Sequence, residues 1–211
     1  MGNKEKMYLE RGKVLVQRLK DKGFEAQIVE HKEDVLSVVM GLIPKDDVVA
    51  WGGSVTMAQC GVIDAVRKER KVIDRDKVES MEAKKQIMRE ALLCDTFLMS
   101  ANAISMDGSL MNIDGTGNRV AALIFGPKQV IVVAGMNKVC ADYDAAFKRA
   151  WNDSAPMNMQ RFPQKKCGCT GTAVCVKCNS VDSICNQFVW TRRCNPQGRI
   201  KVVLVAEDLG Y

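Results

Sequence analysis

The chain has 211 residues, 47% of them apolar, with nine cysteines and a formal net charge of +6. That length holds one well-buried core with a small appendage and excludes two full domains. No apolar stretch escapes interruption by charge, Gly or Pro within about a dozen residues, and the charged start MGNKEKMYLERGK lacks a secretion signal's apolar region, so a cytoplasmic, reducing compartment with no membrane partner is expected.

Residues 5–22 keep Leu9, Val14, Leu15 and Leu19 on one face and stop at Gly23, which predicts a first helix. A strand over 24–29, a helix over 32–42 closed before Pro44 and an apolar strand over 47–51 follow. Next come a helix over 54–70 capped by Ser54, a short strand over 71–74, an amphipathic helix over 79–93 and a buried strand over 95–100. The turn Asp107-Gly108 leads into a strand over 109–113 and suggests a hairpin-like pair. A β-branched run over 130–134, a helix over 142–151 and a closing strand over 200–206 complete an α/β chain, with helices on both faces of a mostly parallel sheet.

Two polar constellations interrupt this alternation. GGSVT, Gly52 to Thr56, lies between a strand and a helix, where backbone N–H groups attract an anion; a plain turn with a serine cap reads the same. Residues 100–127 gather Asn102, Asp107, Asn112, Asp114, Asn118 and Arg119 around glycines. Asp114 suits a base or acceptor, Arg119 a two-point anion contact, and Asn102 and Asn118 the orientation of an oxygen; Asx turns with Arg119 paired to Asp114 are the structural alternative.

Six of the nine cysteines fall between Cys167 and Cys194. Residues 161–201 also hold eight Lys and Arg against the single acid Asp182, a cation excess suited to stabilising thiolates around a metal, although a solvated basic loop or a phosphate-binding patch has the same composition. Cys60, Cys94 and Cys140 read as buried small hydrophobes and His31 as a surface residue. No G-x-G-x-x-G follows a strand and no G-K-[ST] follows Gly52, so neither NAD nor ATP is expected.

GGSVT and the segment from Ser100 to Val139, SANAISMDGSLMNIDGTGNRVAALIFGPKQVIVVAGMNKV, match the LUD-domain family of lactate-utilisation proteins in order and spacing, and the resemblance runs to the closing VAEDLGY. It implies a fold similar to the sugar-phosphate isomerase and CoA-transferase group, with both constellations facing one pocket, and a role beside an iron–sulfur system that oxidises lactate to pyruvate. Relatives often carry an acid soon after the threonine of the turn, where this chain has Met57, Ala58 and Gln59. Cys169-x5-Cys175-x2-Cys178-x6-Cys185 is similar to a cysteine pattern that a subset of the family carries near its C-terminus. Its x2 spacing lets two thiolates meet one ion from a tight turn.

The expected metal ligands are therefore Cys169, Cys175, Cys178 and Cys185, with Cys167 and Cys194 as alternates. Four thiolates suit Zn²⁺ or an Fe–S cluster, and the resemblance favours a cluster of the [4Fe–4S] type. Gly52, Gly53, Ser54, Thr56, Asn102 and Arg119 are expected to bind a small anionic metabolite, with Asp114, Asn118 and Arg119 as catalytic residues and an iron–sulfur or oxidoreductase protein as partner. The expected organisation is an α/β domain over 1–165, a Cys-rich metal module over 166–198 and a closing strand within 199–211. A zinc-stabilised interaction protein without catalysis is the alternative. Nucleic-acid binding ranks last, because Phe162, Phe188 and Trp190 form no stacking surface in the sequence and no reading helix is evident.

Overall fold

The computed structural model describes residues 2–211. The chain begins with α1 (Asn3–Asp21), β1 (Glu25–Val29), α2 (Lys32–Leu42), β2 (Val48–Trp51), α3 (Val55–Gln59), α4 (Val62–Glu69) and β3 (Lys71–Ile73). It continues through α5 (Met81–Glu90), β4 (Thr96–Met99), β5 (Ala103–Ser105), β6 (Ser109–Asp114), α6 (Asn118–Ile124) and β7 (Gln129–Gly135). The remainder is β8 (Val139–Cys140), α7 (Tyr143–Arg149), α8 (Ala155–Met159), α9 (Gly168–Thr172), β9 (Gln187–Thr191) and β10 (Ile200–Val205).

Six strands pair in the order β1-β10-β7-β4-β2-β3, every pair parallel. Successive side chains of a strand face opposite sides of the sheet, and both faces here are apolar. Val130, Val132, Val202 and Leu204 meet Leu15 and Leu19 of α1 and Leu123 of α6 on one side. Ile131, Val133, Val203 and Val205 meet Val35 and Val39 of α2 and Val62 and Val66 of α4 on the other. The fold is thus α/β with helices on both faces, and no helix among the described residues is long and apolar enough to cross a membrane.

Four further strands form a second sheet, β8-β5-β6-β9, in which β6 runs antiparallel to both β5 and β9. Ile104 and Leu110 pack into the main core, while Met111 and Ile113 face Ala146 of α7 and Trp190 of β9. The second sheet is therefore buried against both the first sheet and α7.

Several local expectations are corrected. The helix expected over 54–70 is two helices, because Gly61 adopts φ +66 and redirects the chain; glycine takes that conformation without the penalty a Cβ brings. The hairpin is made by β5 and β6, whereas β4 belongs to the parallel sheet. The cysteine-bearing stretch contributes β9 to the second sheet before it reaches β10. Its cations are also dispersed: Arg199 donates to the carbonyls of Ala122 and Leu123 at the end of α6, and Lys201 pairs with Glu25.

Candidate functional site

The carboxyl ends of parallel strands in an open α/β sheet are where ligand crevices form, and here nearly every such end feeds one cleft of about 530 Å³. Gly53, Ser54 and Thr56 follow β2, Arg75 and Asp76 follow β3, Ser100 and Asn102 follow β4, Lys138 follows β7, and Gly210 and Tyr211 follow β10. The second sheet supplies Ile113 and Asp114, and the loop beyond it supplies Asn118 and Arg119. This volume suits a metabolite-sized ligand.

Arg119 is the organising cation of the floor. Nη1 donates to the Ser100 carbonyl at 2.9 Å and Asn112 Oδ1 at 2.8 Å, and Nη2 donates to Asn102 Oδ1 at 3.0 Å and the Ile113 carbonyl at 2.7 Å. Nε faces Asp114 Oδ2 at 3.3 Å. All five guanidinium donors are thereby committed. Burial works against the charge and Asp114 offsets it. The expected two-point contact between Arg119 and a ligand is corrected on this ground: the side chain ties β4, β6 and α6 together instead.

The other expected residues divide the same way. Asp114 Oδ1 accepts from the N–H groups of Thr116 at 3.1 Å and Gly117 at 2.9 Å, so its carboxylate holds the loop and Arg119 together. Asn102 spends its amide on Ser154 Oγ at 2.8 Å, the Ile113 N–H and Arg119. Gly52 gives its N–H to the Leu98 carbonyl at 3.0 Å and lies against the Arg119 stem, where an added Cβ would come within 2.8 Å of carbon atoms. Ser54 caps α3 by accepting from the Met57 N–H at 3.2 Å, as its sequence position suggests. A helix of five residues concentrates little dipole at its N-terminus. Asn118 lines the cleft beside these groups.

The sequence reading did not place in the cleft the side chains that give it its charge, and counted Arg161 and Lys165 among the cations around the cysteines. Arg75, Lys84, Lys138, Arg161 and Lys165 line it together with Arg119, against two acids, Asp76 and Asp114. Both acids already face guanidinium groups, Asp76 at 3.3 Å from Arg67 and Asp114 at 3.3 Å from Arg119. Arg75 reaches Asp76 only at 3.7 Å, and Lys165 donates to the Asp182 carbonyl at 3.1 Å. Lys138 is 3% exposed and donates to Thr56 Oγ1 and Ser100 Oγ, each at 3.0 Å. Burial, reinforced by Arg149 and Arg119, pushes its pKa down to about 7.

A second cavity, about 280 Å³, is lined by Cys167, Cys169, Cys175, Cys178 and Cys185. None is in a disulfide. The thiols feel one another: burial pushes Cys185 up to about 12, with Cys175, Cys169, Cys178 and Cys167 adding to the rise. Cys178 is lowered, chiefly by the Ser180 backbone N–H. No three of these sulfurs lie within 4.8 Å of one another. Cys194 is apart from them in the main core, donating to the Pro196 carbonyl at 3.1 Å, and so does not join the alternates.

The two cavities share a wall. Ile184 faces the cleft and Cys185 the cysteine cavity; on the segment from the π turn Ala150–Ser154 into α8, Ser154 and Asn158 face the cleft while Trp151, Ala155 and Met159 face the thiols. Asn186 anchors that wall, its N–H donating to the Asp114 carbonyl at 3.0 Å and Nδ2 to the Gly115 carbonyl at 2.9 Å.

No curated protein matches this sequence. Among solved structures, a DUF162 family protein from Deinococcus radiodurans is similar over 94% of this chain and 98% of its own, at 12% identity and a TM-score of 0.53. Parts of eIF2B beta and eIF2B delta from Chaetomium thermophilum also align, at 15% and 19% identity with TM-scores of 0.37 and 0.33, covering 54% and 51% of this chain and 44% and 48% of theirs. The LUD domain family model matches residues 12–205, nearly the full length, and the chain belongs to the LUD-domain family.

Proposed function

We propose that this protein works in organic-acid utilisation, with lactate-type metabolism as the setting its family suggests, binding a small anion in the strand-end cleft and holding a cysteine-ligated iron–sulfur cluster behind the shared wall. The observation that carries the reading is the surplus of cations in the cleft: six line it, and its two acids already face guanidinium groups. Arg75, Arg161 and Lys165 attract the anion, Thr56 and Ser54 offer hydroxyls, and Arg119 shapes the floor without touching the ligand.

The donor set supports a metal centre. Thiols whose neighbours raise one another's pKa are deprotonated together only when a cation joins them. Four thiolates suit a tetrahedral Zn²⁺ with sulfurs at about 2.3 Å or an iron–sulfur cluster, and the electron-transfer setting of the family favours the cluster. Cys169, Cys175, Cys178 and Cys185 would hold it, with Cys167 on the same cavity. Bound there, a cluster supplies one-electron transfer, and an electron-transfer protein is the corresponding partner.

The test has two parts. Equilibrium dialysis with lactate and with uncharged lactamide is expected to show salt-sensitive binding of the anion alone, with Arg75→Ala lowering affinity about 10-fold, or roughly 1.4 kcal/mol. Equal binding of both compounds, or of neither, rejects the anion site. Anaerobically purified protein is expected to contain iron and acid-labile sulfide, with visible absorption that bleaches on reduction. Stoichiometric zinc in colourless protein instead establishes the zinc-stabilised alternative.

A further inference from the structure

Lys138 stands out among the buried groups because nothing among the described residues neutralises it. Among the described residues no carboxylate pairs with its ammonium, and its partners are two neutral hydroxyls. A buried, unpaired cation is among the more destabilising arrangements in a protein. An apolar side chain of similar length would fill the same space more stably.

The surroundings make the amine less basic and leave it accessible to the cleft. The charged groups facing it are Arg119 of α6 and Arg149 of α7, both cations. From the other elements around it come Thr56 on α3, Ser100 after β4 and, along the same cleft, Tyr211. With a pKa near 7, a large share of the side chain carries a lone pair at neutral pH. The hydroxyls of Thr56 and Ser100 engage the two protons of the neutral amine, which leaves the lone pair the remaining position of the nitrogen's tetrahedron. Gly210 crosses close by: a Cβ there would meet Thr56 Oγ1 at 2.5 Å and Lys138 Nζ at 3.1 Å, so a side chain at this position would cover the amine.

We propose that Lys138 is a nucleophile that captures the carbonyl carbon of a small oxo acid bound in the cleft, forming an imine. This rests on the reading of the cleft as an anion site, and it narrows the ligand to a carboxylate that carries an electrophilic carbonyl. The cations lining the cleft draw in the carboxylate, and the amine takes the carbonyl. The lone pair of Nζ forms the C–N bond while the carbonyl π pair moves to oxygen, which is protonated. Transfer of the nitrogen proton to the resulting hydroxyl then releases water and leaves C=N. Thr56 and Ser100, at 3.0 Å from the nitrogen, are placed to relay those protons. The hydrolytic reverse frees the amine, so no oxidant or reductant enters the step.

The experiment uses the full chain, glyoxylate as the oxo acid and sodium cyanoborohydride, which reduces an imine to a stable secondary amine. Intact mass and peptide mapping are expected to show one adduct on Lys138, formed at neutral pH at least ~100-fold faster than on exposed lysines of ordinary basicity. The rate is expected to rise through pH 7 and then level, and excess glycolate, an anion without a carbonyl, is expected to slow it. Lys138→Met should retain the melting transition and lose the fast adduct; should that variant fold poorly, peptide mapping of the native protein still locates the adduct. Adduct spread evenly over exposed lysines, or a Lys138 rate flat from pH 6 to 9, overturns the proposal. Dialysis separates the two readings: glycolate that binds where glyoxylate leaves no adduct rejects the imine and keeps the anion site. If neither compound binds or reacts, both readings fall.

Discussion

Lys138 and Arg119 are both buried cations of the cleft, and they differ in what surrounds them. Arg119 has an acceptor for each of its five donors and an acid beside it, so its charge stabilises the loop it organises. Lys138 has two neutral hydroxyl acceptors and no acid beside it among the described residues, and the consequence is a pH-dependent stability. Its folded pKa of about 7 lies below the ordinary 10.5, so the unfolded chain binds the extra proton between those values. Native stability therefore rises with pH across that window, and the penalty is fully present below pH 7. Replacing Lys138 with Met removes it: the variant should be more stable than the native protein at pH 6.5 by a few kcal/mol, and that advantage should vanish toward pH 10.5. Urea titrations at both ends check this, and parallel stability profiles would refute it. Asp114 and Arg119 were legible in the sequence as a polar loop, although their role as a mutual clamp depends on β4 and β6 meeting. Lys138 was not singled out, because one cation among 31 Lys and Arg carries no local signal. What would have exposed it is its place three residues after β7, at the carboxyl end of a parallel strand.

At the scale of elements, periodicity identified the parts whose burial is set by their own sequence. The β-branched runs of β7 and β10 are apolar on both faces and read as central parallel strands, as they are. β5 and β9 were missed because strands of three and five residues take their extended form from pairing with β6, which no local pattern announces. The break between α3 and α4 was missed for a related reason, since Gly61 inside a helical pattern is ambiguous until its φ is known. A paired substitution tests that account. Gly61→Ala meets no atom within 4 Å but must adopt φ +66, and should cost about 1–2 kcal/mol. Gly41→Ala, equally open and in ordinary helical backbone of α2, should stabilise by about 0.5 kcal/mol. Melting curves that move in the same direction for both would show that backbone conformation at Gly61 is not what divides the helices.

For the whole molecule, the order of elements in the sequence tethers the cysteine module between a helix and the closing strand, and a tether of that kind alone would let loss of a metal loosen that strand. The pairing of β9 with β6 changes where such a disturbance travels. Residues from Asp114 to Leu110 pair with Gln187 to Thr191, and Asn186 ties the start of β9 to the loop after β6. β10 lies between β1 and β7 with its side chains in both cores, and it pairs with no strand of the second sheet. Stability is distributed in local cooperative units, and the unit that contains the cysteines also contains one wall of the cleft. If the proposed metal centre is present, stripping it from anaerobically prepared protein should raise hydrogen exchange across residues 167–186, then in 113–117 and 187–191, while residues 202–205 keep their protection. Anion affinity should fall with it, because Ile184 and Lys165 help line the cleft. If exchange rises only within 167–186 and anion binding is unchanged, the two sites are neighbours without coupling. If 202–205 exchange in step with the cysteines, the second sheet does not isolate the core, and the coupling runs through the closing strand.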